Sequence, residues 1–147
     1  MTAPPATSGT SNQRIQRYGP TSTALAVLSN RQLGRVLDAT PLLGHGIGGT
    51  SALLDIDGTP VFAKRIPLTD LERRAENVMS TANLFDLPPY CHYGVGSAGG
   101  GVWRELAAHT MTTNWVLAGQ SESFPLMYHW RVLTEPSATP PPRGEAG

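Results

Sequence analysis

The chain has 147 residues, 39% of them hydrophobic, which suits one modest domain with tails and leaves little room for two. Eleven Lys and Arg balance eleven Asp and Glu, so the cationic footprint of a nucleic-acid binder or a membrane-surface protein is missing. A single cysteine, Cys91, excludes an internal disulfide and any multi-thiolate metal site, and it fits a reducing compartment.

Residues 1–20 are rich in Pro, Ser, Thr, Gly and Ala and predict a disordered tail, as do residues 134–147, TEPSATPPPRGEAG. The N-terminal stretch lacks the apolar core of a secretory leader, and the run ALAVL is far short of the ~20 residues that span a bilayer. A cytoplasmic protein with no membrane partner is expected. The domain is expected over residues 21–133. It starts with STALAVLSNRQLGRVLDATP, where Leu25, Leu28, Leu33, Val36 and Leu37 recur at helical spacing. Ser29 and Gln32 have the spacing of a capping box, so one or two short helices are predicted.

From Leu42 the apolar period becomes that of strands. PLLGHGIGGTSALLDI and TPVFAKRI flank Asp57-Gly58, a pair suited to a two-residue type I′ hairpin, which needs positive φ at both central positions. Thr69 and Glu72 then form a second capping box. Leu71, Ala75, Val78, Met79, Ala82 and Phe85 fall at helical spacing, so a helix is predicted to run until Pro88-Pro89 stops it. YCHYGVG predicts a strand, SAGGG a turn, VWRELAAHTMTTNWVL a helix and FPLMYHWRVL a last strand.

Gly44, Gly46 and Gly49 make G-x-G-x-x-G, a pattern shared by two unrelated phosphate-binding devices. In a dinucleotide-binding fold a helix follows the glycines and carries the pyrophosphate at its N-terminus. Such a helix would have to pass through Gly58 and Pro60, which argues against it. The other device is a β-hairpin whose tip covers the phosphates of ATP, with a lysine on the next strand reaching the α- and β-phosphates. Val61-Phe62-Ala63-Lys64 supplies that order. Lys64 is the only lysine beside ten arginines, and a compact charge on a flexible stem suits two phosphate oxygens better than a rigid guanidinium fork.

From Leu42 to Leu133 the sequence resembles the N-terminal lobe of the protein kinase fold, as in bacterial serine/threonine protein kinases. The resemblance implies an α+β domain: a mostly antiparallel five-stranded sheet with one packed C-helix, preceded by short helices. It implies a Gly-rich loop at Gly44, Gly46 and Gly49, a phosphate lysine at Lys64 and a C-helix glutamate paired with it. Glu72 and Glu76 are the two candidates, and Glu76 is favoured because the capping box already uses Glu72. ATP with Mg²⁺ is the implied ligand. The segment VWRELAAHTMTTNWVL is not a protein-kinase feature and looks more like the small-molecule phosphotransferase branch of the fold. H-R-D-x-x-x-x-N, D-F-G and A-P-E occur nowhere, so a lobe truncated before the catalytic loop and inactive alone is expected. Its inter-lobe face would be exposed, open to a protein partner or a second copy; the alternative is a non-catalytic interaction module derived from such a fold.

His45, His92, His109 and His129 show no metal-binding spacing. Trp103, Trp115, Trp130, Phe85 and Phe124 are expected in the core, and Arg104-Glu105 is expected to be a solvated pair.

Overall fold

A computed structural model of the chain describes residues 8–46, 49–92 and 100–134. Its regular elements are α1 (Ser8–Ala26), α2 (Asn30–Ala39), β1 (Leu42–Gly46), β2 (Gly49–Ile56), β3 (Thr59–Arg65), α3 (Asp70–Arg73) and α4 (Val102–Leu117), with short 3-10 turns at Ala75–Asn77 and Pro89–His92. The strands form one antiparallel sheet in the order β1-β2-β3.

Local chemistry explains the first half of the chain. Ser29 Oγ accepts from the Gln32 amide at 3.2 Å while Gln32 Oε1 accepts from the Ser29 amide at 2.8 Å, the full capping box that starts α2. Ile56 pairs with Thr59 across a two-residue turn in which Asp57 and Gly58 have φ of 50° and 82°. Asp55 Oδ1 closes that turn by accepting from the Gly58 amide at 2.9 Å.

Alternation along the hairpin sets its two faces apart. Ala52, Leu54 and Val61 are buried, and Leu25, Leu33 and Leu37 of α1 and α2 complete the core against Leu54 and Val61. Each such side chain contributes roughly 1.5–3 kcal/mol on burial. Leu53 and Phe62, opposite one another in the register, face the other way and stay 51% and 63% exposed.

Among the described residues the sheet has three strands where five were expected, and the packed helix is not where the resemblance put it. The segment predicted as one helix from Asp70 to Pro88 breaks after Arg73. Asn77 Nδ2 donates to the Leu71 carbonyl at 2.8 Å, a side-chain bond that competes with helix continuation. The apolar stripe is also poorly covered, with Val78, Met79 and Phe85 all exposed, and helices owe most of their stability to such packing. The capping box at Thr69 forms by half. Its hydroxyl accepts from the Glu72 amide, but the Glu72 carboxylate returns to that hydroxyl, not to the Thr69 amide.

YCHYGVG begins as the 3-10 turn Pro89–His92, and its remaining residues lie outside the described ones, as does the expected tail from residue 135 on. FPLMYHWRVL carries no strand, and among the described residues β1, β2 and β3 pair only with one another. The expected N-terminal tail is helical from Ser8. Tertiary contacts that composition does not reveal hold it: Arg14 donates to the Glu122 and Phe124 carbonyls at 3.2 and 2.6 Å, and Tyr18 stacks on Tyr128 at 6.0 Å. Of the aromatic residues expected in the core, Trp103 is buried, while Trp115, Trp130, Phe85 and Phe124 are partly exposed.

Arg131 joins the extended C-terminal segment to the α1–α2 corner. It donates to the carbonyls of Leu28 at 2.6 Å, Leu25 at 3.2 Å and Ala26 at 3.4 Å, so a cation satisfies the last turn of α1. Its Nε donates to His129 Nε2 at 3.0 Å, which requires an unprotonated nitrogen there. Burial, and then the Arg131 charge, hold the His129 pKa below its ordinary value. A depressed imidazole leaves the unfolded chain binding more protons, so this stability is complete above about pH 6.5 and is lost as pH falls below it. Urea denaturation at pH 7.5 and 5.5 checks this: the wild type loses stability on acidification, and His129→Gln loses less. Equal losses in the two proteins would exclude His129 as the cause.

Gly49 makes a second prediction. Its φ is 118°, and a Cβ there would lie 1.9 Å from the Arg65 carbonyl oxygen, whereas a Cβ at Gly44 would meet nothing within 4 Å. Gly49→Ala is expected to destabilise the fold by roughly 2–4 kcal/mol and Gly44→Ala by less than about 1 kcal/mol, read from thermal or chemical unfolding.

Candidate functional site

Glycines at Gly44, Gly46 and Gly49 bend β1 back as β2, with Gly46 paired to Gly49 and Gly44 to Ser51; residues 47 and 48 of the tip lie outside the described ones. A strand, not a helix, follows Gly49, which removes the dinucleotide-binding arrangement. Gly49 is demanded by its own backbone, with φ 118°, whereas the space above Gly44 is open.

Lys64 stands opposite Ser51, so Gly44, Ser51 and Lys64 form one row across the sheet. Strand alternation sends Lys64 and Arg65 to opposite faces. Arg65 Nη1 reaches Asp38 Oδ1 of α2 at 2.9 Å, on the core side. Lys64 Nζ reaches Glu105 Oε1 of α4 at 2.7 Å. The same carboxylate oxygen lies 3.8 Å from His109 Nε2, one helical turn on.

Glu105 therefore takes the place expected of Glu76, which is exposed in the 3-10 turn at Ala75–Asn77. Its neighbour Arg104, expected with Glu105 as a solvated pair, donates through Nε to the Thr81 carbonyl. Glu72 is buried but turns to Thr69. The sequence held one signal that points to Glu105: it is the sole acidic residue of the segment predicted, and found, as a helix from Val102 to Leu117.

α4 is held by the chain around it. Thr113 Oγ1 accepts from the Met127 amide at 2.9 Å, Trp103 meets Trp130 edge to face at 6.5 Å, and Trp103 Nε1 donates to the Glu72 carbonyl at 3.0 Å. An open cleft of about 420 Å³ lies between α1, α4 and residues 127–130, lined by Tyr18, Asn114, Tyr128 and His129 among others. It contains none of the glycines and not Lys64, and the chemistry of the row Gly44–Ser51–Lys64 makes that row the stronger candidate.

Compared with known proteins, the chain matches no family model, no curated protein and no solved structure. Among the described residues, no group of three or more His, Cys, Asp or Glu could hold a metal ion, and no helix is long and apolar enough to cross a membrane.

The side chains of Lys64 and Glu105 are 40% and 38% exposed, and a pair so solvated stabilises a fold by about 0–1 kcal/mol. A double-mutant cycle with Lys64→Met and Glu105→Gln, followed by urea denaturation, is expected to give a coupling inside that range. A coupling above about 2 kcal/mol would mark the pair as structural.

Proposed function

We propose that residues 42–117 form an ATP-binding lobe of a kinase-like phosphotransferase, with a serine or threonine hydroxyl as the acceptor class. The observation that carries this reading is the Lys64–Glu105 pair: a lysine on the strand after a glycine hairpin, held by a carboxylate from a packed helix. So solvated a pair adds little to stability, which favours a positioning role: Glu105 fixes the ammonium where it can reach phosphate oxygens beneath the hairpin. Gly44 leaves room for close approach of a ligand to the backbone.

The residues fit the charge of a triphosphate, and among the described residues no cluster is present for its metal. The Mg²⁺ that accompanies ATP supplies charge neutralisation through the phosphates, and this chain's contribution is Lys64 and the loop amides. The catalytic base and magnesium ligands of such enzymes have no counterpart motif in the sequence, so binding without turnover is the expected behaviour of this chain, in a cytoplasmic setting.

Calorimetric titration with MgATP tests the reading. Saturable binding is expected; Lys64→Met is expected to abolish it, Glu105→Gln to weaken it about tenfold, and Glu76→Gln to leave it unchanged. A folded wild-type chain that does not bind MgATP would overturn the proposal.

A second reading rests on a separate observation. Leu53 and Phe62 stand side by side and exposed on the same face as Lys64, which suits a non-catalytic module docking a protein partner or a second copy through that face. Sedimentation of the wild type and of a Leu53→Ser, Phe62→Ser double variant tests self-association, and loss of a dimer in the variant would favour it.

A further inference from the structure

Helix α4 starts behind a residue that cannot cap it. Gly101 has φ 92° and ψ 174°, a region almost closed to residues with a Cβ. The Ser, Thr, Asp or Asn that usually caps a helix is thereby shut out, and α4 has no side-chain cap. The amides of its first turn are left in need of an acceptor.

The polar side chain nearest to a Cβ at position 101 belongs to Glu72, whose Oε1 and Cδ would lie 3.8 and 3.9 Å from it. Glu72 is only 4% exposed. Its Oε1 accepts from the Thr69 hydroxyl at 3.2 Å, and its Oε2 has no hydrogen-bond partner among the described residues. A buried carboxylate with a spare oxygen is stabilised by nearby positive charge, which the N-terminus of a helix supplies. The same residue is tied to α4 a second time, because its carbonyl accepts from Trp103 Nε1 at 3.0 Å.

We propose that Glu72 is a positioning residue, the N-terminal anchor that α4 receives from another element, and that it sets Glu105 in place for Lys64. Glu105 lies within the anchored turn, its amide bonded to the Gly101 carbonyl at 3.2 Å. The inference rests on the reading of Lys64 and Glu105 as the site. It assigns Glu72 a role distinct from the lysine pairing considered for it in the sequence, since the residue acts on the helix and not on the ammonium.

The test uses the full chain and Glu72→Gln, which keeps shape and removes charge. Amide hydrogen exchange at residues 102–106 is expected to quicken about tenfold, the cost of losing a buried charge at a helix N-terminus, with β2 and α2 unchanged. The NMR shift of the Lys64 Cε is expected to move towards its value in Glu105→Gln, and MgATP affinity to fall, with the Glu72→Gln, Glu105→Gln double variant losing no more than Glu105→Gln alone. If Glu72→Gln does not fold, Glu72→Asp, which retracts the charge by one methylene, is expected to show the same local exchange. Unaltered exchange at 102–106, or a rise spread evenly over the chain, would overturn the anchor. An unmoved Lys64 shift beside altered exchange would overturn the positioning of Glu105. A wild type that fails to bind MgATP would remove the nucleotide reading alone, because exchange and the Lys64 shift are read without nucleotide.

Discussion

Successive side chains of a strand point to opposite faces, and in β3 this one constraint divides the molecule. Val61 goes to the core under α1 and α2, and Arg65 follows to the same side to meet Asp38. Phe62 and Lys64 are forced outward, where Lys64 meets α4. A slip of one residue in the β2–β3 register would put the lysine into the core and Val61 into water. The two-residue turn at Asp57-Gly58, with both residues at positive φ, holds that register, so the placement of the candidate site depends on a turn remote from its glycines.

The helices serve the sheet in different ways. α1 and α2 bury apolar side chains on it and supply the main favourable term. α4 instead touches the sheet through a solvated ion pair and packs on the chain that follows, by way of Thr113 and Trp103. Arg131 ties that following segment to the end of α1. α4 is consequently located by polar contacts at both ends, by two tryptophans and by the burial of its own Leu106 and Val116.

Some of this was written locally. Ser29 and Gln32 start α2 through bonds between residues three apart, and Asp57-Gly58 turns the hairpin for reasons internal to those two residues. α4 was legible in the sequence because no Gly or Pro interrupts it between Val102 and Leu117. The stripe from Leu71 to Phe85 has equally good spacing, yet it is not one helix, since spacing says which face would be apolar and nothing about whether a surface exists to cover it. The tail reading failed at Ser8 for the converse reason: Arg14 and Tyr18 find partners more than a hundred residues away.

The sequence by itself determined the elements whose bonds close within a few residues: the capping box of α2, the hairpin, its faces, the glycine bend and the outward direction of Lys64. Only the tertiary structure decided which carboxylate meets that lysine. Glu72 and Glu76 lie nearer in sequence, but one is drawn into the interior beside α4 and the other is left in water by a helix that does not continue. Glu105 reaches Lys64 across 41 positions because packing of Trp103 and Thr113 brings its helix there, and no local rule encodes a separation of that length.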